Sequence, residues 1–560
     1  MPKGPEWIKT EISLSDAPTE PQTFFYHDII DCAKFLYSNP SFQEVMNYEA
    51  VKVFEAKSQG QSRVYHEFMT GKIANKLQVW WLINWGTSTY WSLLSTTIDF
   101  NSNWYWDHWN IIGLRWDTPY QLCGNKTAHA VYMSISNINK SIYQKLTQGA
   151  WIAITKIPVS KFSRSHFQTK AEEERMPGLL QSILFHQCMW IVLGPLCTTS
   201  MPWPHIVIDP LGNFCQCLFF LVSWIADLKE QWLIAGLAQS VCLKCITVTT
   251  DFGKPHTCEK RLGQSILESL KQIQCWYPMA DTWQFFLKSK EVGLSGVEDL
   301  CWEGLVVDIC DVLCVDVLHW IHKFFKDHVM EWLTNTCGKE ELDWHMMAQP
   351  HQIGYHNFDA GISHLSQWTC WGNQDLEWHI LPVILGASGA VPPVIKAMCS
   401  LLNFTYLAQL LMHDESTLLK LEDALQNFHT AKSIFITNGS RQGANGGIIE
   451  DLNIPKLHML HHWWDNITTS GTSDNFCTEV GEALHRIGPK AAYKSTNKKE
   501  YEYQMIWYFV WFEALHLFSA YSEWHVKKLQ HDRTHQDGLK EQHVSQEAPS
   551  LFSIHPCCHQ

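Results

Sequence analysis

The chain has 560 residues, 46% hydrophobic and 18% charged, with a formal net charge of −14, 28 tryptophans, 29 histidines and 19 cysteines. That length holds roughly two to four structural units with sizeable cores, and the composition excludes a largely disordered chain. An odd cysteine count in a long chain, with no charged-then-apolar leader in Met1-Pro-Lys-Gly-Pro-Glu6, points to a reducing compartment rather than a disulfide framework.

In chain order, residues 28–36 predict an amphipathic helix in a mixed, polar N-terminal block. Tryptophan dominates 79–109, as in Trp80-Trp81, Trp91 and Trp104-Tyr-Trp106, without a clean period; such a run suits buried packing or stacking on bases. Three strands are then expected. Ile111-Ile-Gly-Leu-Arg-Trp-Asp117 runs apolar into a carboxylate, Ala130-Val-Tyr-Met-Ser-Ile-Ser136 alternates, and Trp151-Ile-Ala-Ile-Thr-Lys-Ile-Pro158 follows, with Gly124-Asn125 as turn chemistry between the first two. A helical region over 170–190 leads to the strand His205-Ile-Val-Ile-Asp209 and to an apolar strand over 219–226 that stops at Asp227. A carboxylate on the first strand, three antiparallel strands, a helix, and a strand ending in a second carboxylate is the order of an α/β, RNase H-like core. The apolar runs at 183–196 and 218–226 read as too short or interrupted to span a bilayer, so no membrane is expected as a partner. Over 391–434 apolar residues recur at three and four, predicting an all-α insertion. The loop Asn438-Gly-Ser-Arg-Gln-Gly-Ala-Asn-Gly-Gly447 lacks the Gly-Lys-Ser/Thr ending of a phosphate loop, and past 525 the chain turns into a polar tail.

Several residue patterns carry chemistry. Cutting a phosphodiester with two metal ions needs carboxylates that hold Mg²⁺ ions about 4 Å apart around the attacking and leaving oxygens. Asp117 and Asp227, at the ends of adjacent strands, with Glu482 from a distant helix, suit that task. On a helix Glu482, His485 and Arg486 fall at i, i+3 and i+4, which gives a metal-and-phosphate surface or simply a solvated Glu/Arg pair. Cys242-Leu-Lys-Cys245 is a half-site for tetrahedral zinc, the alternatives being a redox pair or free thiols; His256 and Cys258 stand near enough in sequence to complete it. Asp316 and His319, at Asp-x2-His spacing, place a carboxylate beside an imidazole on one helix face, as in a metal site or a buried hydrogen-bonded pair. The acidic total disfavours nucleic-acid binding, yet Lys490, Lys494, Lys498 and Lys499 supply a local basic stripe.

Several of these segments resemble blocks of the Plavaka-type transposases, in the Kyakuja-Dileera-Zisupton superfamily of fungal DNA transposons. Asp117-Thr-Pro-Tyr-Gln-Leu with Ala130-Val-Tyr-Met-Ser-Ile-Ser-Asn-Ile138, Trp224-Ile-Ala-Asp227-Leu-Lys-Glu230, and Val315-Asp316-Val-Leu-His319-Trp-Ile-His322-Lys323 carry the likeness. So do Ile454-Pro-Lys-Leu-His458-Met-Leu-His461-His462 and Asn475-Phe-Cys-Thr-Glu-Val-Gly-Glu482-Ala-Leu-His485-Arg486. The resemblance implies an RNase H-like catalytic core with a zinc-knuckle insertion and a large helical insertion. It divides the chain into an N-terminal adaptor with the Trp-rich segment (1–109), the first part of the core (110–235), the zinc-knuckle-containing insertion (236–320), the helical insertion (321–450), the C-terminal part of the core carrying the third acid (451–525) and the tail (526–560).

It further implies a DDE-type DNA transposase acting by two-metal-ion cleavage and strand transfer, with Asp117, Asp227 and Glu482 binding Mg²⁺ or Mn²⁺ and Asp316 and His319 as further active-site elements. A structural Zn²⁺ knuckle on Cys242 and Cys245 is implied, for which nearness in sequence offers His256 and Cys258 as the other ligands, while the basic stripe of Arg486, Lys490, Lys494, Lys498 and Lys499 is the expected DNA contact. The expected partners are double-stranded transposon ends and target in the nucleus, with room for a homo-oligomer. Departures from the family pattern, Asp117-Thr-Pro in place of Asp-Lys-Thr and Gly212-Asn-Phe-Cys-Gln-Cys217 where arginines usually stand, leave open a catalytically inactive transposon-derived DNA-binding or interaction protein. An unrelated helical scaffold is the third reading.

Overall fold

The structure, a computed structural model, describes residues 4–56, 60–85, 108–115, 120–121, 127–197, 204–239, 241–278, 281–351, 353–365 and 370–546. Its main sheet contains β1 (Ile8–Leu14), β2 (Ala17–Tyr26), β3 (His108–Arg115), β4 (Thr127–Ile135), β5 (Ile152–Ile157), β6 (His205–Ile208) and β7 (Phe214–Ile225). The spatial order is β1-β2-β5-β4-β3-β7-β6, and a short strand, Tyr120–Gln121, pairs with β4. β3, β4 and β5 form an antiparallel meander, with Ile112 opposite Ile135 and His129 opposite Ile157. β5 is buried at every position and β4 at all but its first, so both faces of these strands are covered and the polar residues His129, Ser134, Thr155 and Lys156 are buried with the apolar ones.

The chain leaves β5 through helix α2 (Lys170–Leu193) and returns in β7 parallel to β3, with Leu114 opposite Trp224 and Arg115 opposite Ile225. Such a parallel pair requires a crossover, and α2 supplies it. The N-terminal block extends this sheet: β1 and β2 form a hairpin whose Phe25 pairs with Lys156 of β5. Helix α1 (Ile29–Tyr37) follows where the sequence predicts it, started by Asp28, whose side chain accepts from the Ile30 and Asp31 amides.

The run at 183–196 belongs to a longer helix than expected. With its last turn it spans Lys170–Leu196, long and apolar enough by composition to cross a membrane. Over half of its apolar window, 56%, is buried, and Leu180, Leu184, Phe185 and Met189 join the core under the sheet, which accounts for its composition.

The remainder is mostly helical: α3 (Leu228–Ala235), α4 (Cys370–Leu385), α5 (Pro392–Ala408), α6 (Glu415–Ala431), α7 (Pro455–Met459), α8 (Trp463–Ser470), α9 (Glu479–His485) and α10 (Tyr501–Gln546). The segment read as a polar tail is therefore helical as far as Gln546. Trp224, Trp320, Trp332 and Trp463 are fully buried, so part of the tryptophan excess goes into packing. The turn after α9 lies hard against β4: a Cβ on Gly488 would meet the Tyr132 hydroxyl at 2.0 Å, so any larger residue must displace that ring. Asp117, the Gly124-Asn125 turn, Trp91, Trp104 and Trp106, and the terminal Cys557-Cys558-His559 lie outside the described residues.

Candidate functional site

The loop after α3 carries Cys242 and Cys245, and the turn of α7 carries His458 with His462 just beyond it. All four are buried, and one ligand atom from each lies within 4.8 Å of the others. The Cys242 sulfur is 3.3 Å from His462 Nε2, the Cys245 sulfur is 3.2 Å from His458 Nε2, and the two sulfurs are 3.5 Å apart. A tetrahedral zinc ion with Zn–S of about 2.3 Å and Zn–N of about 2.0 Å needs edges of roughly 3.5–3.8 Å, so these residues fit Zn²⁺ after a small expansion. The Lys244 amide donates to the Cys242 sulfur at 3.4 Å, and Arg261 Nε donates to the Cys242 carbonyl at 2.8 Å, holding the knuckle in shape. Hydrogen bonding with Cys242, then with His458 and His462, holds the Cys245 thiol far below its ordinary value, while burial raises Cys242.

His256 and Cys258 are not part of this cluster. They lie on the returning arm of a hairpin in which Cys245 is bridged to Lys260, the Ile246 amide donates to the Glu259 carbonyl and the Cys258 amide donates to the Thr247 hydroxyl at 2.9 Å. That geometry carries both to the surface, where both are exposed. The fuller signal was a Cys-x2-Cys pair joined to a His-x3-His pair, two imidazoles one helical turn apart more than 200 residues later.

A second cluster lies beyond the end of β7. Asp227 caps α3, its Oδ1 accepting from the Glu230 amide at 2.9 Å, and is half-buried. Gln231 Nε2 donates both to the Ala226 carbonyl, at 2.9 Å, and to the Cys314 carbonyl, at 2.8 Å, while Leu313 forms a parallel bridge with Trp224. These bonds hold the chain leading to Asp316 against the strand end that leads to Asp227. The loop carrying Cys242 and Cys245 grips the same chain: Lys244 Nζ donates to the Cys310 carbonyl at 2.6 Å and also to that of Leu313, and Asn466 on α8 accepts from the Val315 amide at 3.3 Å.

Asp316 is 1% exposed. It accepts from the His319 amide at 2.8 Å, from the Thr478 hydroxyl at 2.9 Å and the Thr478 amide at 3.2 Å, and its Oδ2 lies 2.5 Å from His319 Nδ1. Burial pushes its pKa upward, but the adjacent imidazole and these donors win and hold it below the ordinary carboxylate value. The His319 ring is thereby aimed with its Nε2 outward, 3.7 Å from Oε1 of Glu482, which is 45% exposed. The fold thus assembles Asp316, His319 and Glu482 into a carboxylate–imidazole–carboxylate row, although Glu482 comes from α9. Thr478, which joins Asp316 to the start of α9, had no sequence signal.

The face of α9 differs from the expected one. Glu482 and Arg486 are exposed, but His485 turns inward and is 1% exposed, its ring 5.7 Å from Tyr132 of β4. Burial lowers the His485 pKa to about 4. Lys494, Lys498 and Lys499 are exposed and Lys490 is half-buried. Lys456 reaches Asp327 at 2.9 Å; burial lowers its pKa, opposed by Asp327 and by the charge of Asp227. Among the described residues Asp227, Glu482 and His319 do not close into a cluster as tight as the cysteine–histidine group, and Asp117 lies outside them.

A mixed α/β chain with a Cys2His2 cluster that could hold a metal ion, braced against an acidic, histidine-containing row, has a second site suited to acid–base or metal chemistry. The chain matches the Plavaka transposase family over residues 1–90 and 118–333, more than half its length, and belongs to that family. No curated protein matches it.

Proposed function

We propose that this protein is a DDE-type DNA transposase that cleaves and joins phosphodiesters at transposon ends in double-stranded DNA, in the nucleus, with Asp117, Asp227 and Glu482 as its metal-binding acids. The family match is the observation that carries the reading. The strand order supports it: β5-β4-β3-β7, with β3 and β7 parallel and a helix between β5 and β7, is the arrangement of an RNase H-like core. In that register Arg115 pairs with Ile225, each two residues before one of the aspartates in sequence.

Mg²⁺ or Mn²⁺ held by the three acids would lower the pKa of an attacking water or 3′ hydroxyl and stabilise charge on the leaving oxygen. The chain's own groups do the remaining work. Asp316 fixes the His319 ring so that Nε2 faces Glu482, orienting that carboxylate or moving a proton at its oxygen. Lys456 brings a cation near Asp227, suited to a phosphate oxygen, and Arg486 with Lys490, Lys494, Lys498 and Lys499 offers backbone contacts along α9 and the loop after it. Zinc on Cys242, Cys245, His458 and His462 has a structural part, bracing the chain before Asp316.

The test is Mg²⁺- or Mn²⁺-dependent cleavage of DNA carrying the element's flanking ends, run beside Asp227→Asn and Glu482→Gln. Cleavage by the wild type that both variants lose supports the assignment. A folded, zinc-loaded wild type that cuts nothing would overturn it in favour of an inactive relic.

A further inference from the structure

The N-terminal segment, the loop over 146–152 and α10 enclose a cavity of about 300 Å³ that none of the four cluster cysteines and histidines lines. Phe35, Trp151 and Phe512 contribute aromatic surface to it, and Glu513 stands in its wall with His516 and Glu523 farther along the same helix. Among the described lining residues there are two carboxyl groups and no lysine or arginine. The Glu513 Oε1 atom is buried and has no hydrogen-bond partner. Its Oε2 lies 4.0 Å from His27 Nε2, too far for a hydrogen bond, and that nitrogen is also buried without a partner. A buried carboxyl oxygen with nothing to bond is costly, and a pocket of this size lined by aromatic rings and a few polar groups is the usual form of a small-ligand site.

We propose that this cavity binds a small organic monocation, a primary or secondary ammonium group on an apolar body, with Glu513 as its counter-ion and the rings of Phe35, Trp151 and Phe512 around the apolar part. The electrostatics select a cation over an anion, since the cavity offers carboxylates and aromatic faces and no positive side chain. His27 does not compete as counter-charge, because burial lowers its pKa to about 4 and leaves it neutral. Cys32, the other titratable group acting on Glu513 from α1, is kept a neutral thiol by burial, and burial also lowers His516.

Burial pushes the Glu513 carboxyl up to about 8, so near neutrality the empty site holds a proton. An arriving ammonium replaces it: the carboxylic proton leaves to solvent as the ion pair forms, and the ligand keeps its own protons. Affinity therefore rises by about tenfold per pH unit up to about pH 8 and is flat above it.

Calorimetric titration of the full chain with phenethylamine, in two buffers of different ionisation enthalpy, tests this, with phenethyl alcohol as the uncharged isostere. The expected result is saturable binding with release of one proton near pH 7, at least about tenfold weaker in Glu513→Gln, and no binding of the alcohol. Ala520→Phe, which fills the cavity from α10, should abolish binding and decides the matter should Glu513→Gln fold poorly. No saturable binding to the folded wild type at millimolar amine, equal binding by Glu513→Gln, or equal binding of the alcohol overturns the proposal.

Discussion

Glu377→Ala would sever the join between α4 and the turn that carries His319. Glu377 on α4 and His322, three residues after His319, are each 1% exposed, with His322 Nδ1 2.9 and 3.0 Å from the two carboxylate oxygens. Burial alone would lower the His322 pKa; Glu377, helped by Glu479 and Asp316, instead raises it above its ordinary value. Truncation removes both acceptors and leaves the imidazole buried without its counter-charge, which costs about 3–5 kcal/mol in severed buried pairs. A charge-assisted hydrogen bond contributes about 1.5–3 kcal/mol, so losing both contacts gives a similar figure, about 3–6 kcal/mol. Because the folded pKa is raised, the pair's stabilisation is fully present below about pH 6.5, the unfolded value, and is lost as pH rises through the folded value. Urea unfolding of wild type and Glu377→Ala, followed by tryptophan fluorescence at about pH 6 and about pH 9, reads the difference. A gap of at least about 3 kcal/mol that narrows at the higher pH is expected. A gap below about 1 kcal/mol at the lower pH, or one that ignores pH, would refute the reasoning.

Three other outcomes are expected. Purified protein should carry about one zinc per chain by elemental analysis, a content that Cys242→Ser and His462→Ala lower and His256→Ala leaves alone. Asp227→Ala should destabilise by about 1 kcal/mol through loss of the α3 cap whereas Asp227→Asn keeps the cap, so if both abolish cleavage the carboxylate itself is needed rather than the helix start. Replacing Lys494, Lys498 and Lys499 with glutamine should weaken DNA binding alike for all sequences and reduce the slope of log affinity against log salt by roughly 2–3, measured by anisotropy. An unchanged slope would remove those lysines from the interface.

How far the sequence could be read depended on the range of the interactions involved. The strands around Val131, Ile154 and Phe220 were legible because side-chain alternation and apolar runs are local consequences of the pleat. So was the helix predicted over 28–36, although the capping role of Asp28 was not. Helical spacing placed Glu482, His485 and Arg486 together, but spacing does not say which side of a short helix meets the sheet; the contact with Tyr132 turned His485 inward. The cysteine pair was visible and its histidine partners were not, because nearness in the chain favoured His256 and Cys258 while the hairpin from Cys245 to Lys260 points them to solvent. Nothing local marked Thr478 as a partner of Asp316 or Glu377 as a partner of His322, since each meets its partner only after the intervening helices have packed.

The two clusters are closed by residues remote in the chain. Cys245 meets His458 across 213 positions, Cys242 meets His462 across 220, and Asp316 meets Thr478 across 162. At about 5–20 residues per second of synthesis, the cysteine thiols wait roughly 10–40 s for their imidazoles, and in that interval they are open to oxidation or to the wrong metal. Any copy of the gene interrupted before His458 loses the histidine half of the Cys2His2 cluster, the Thr478 anchor and Glu482 in a single event, and its product retains the strands of the sheet without the residues that complete either cluster. Completeness of this protein is thus decided at its distal end.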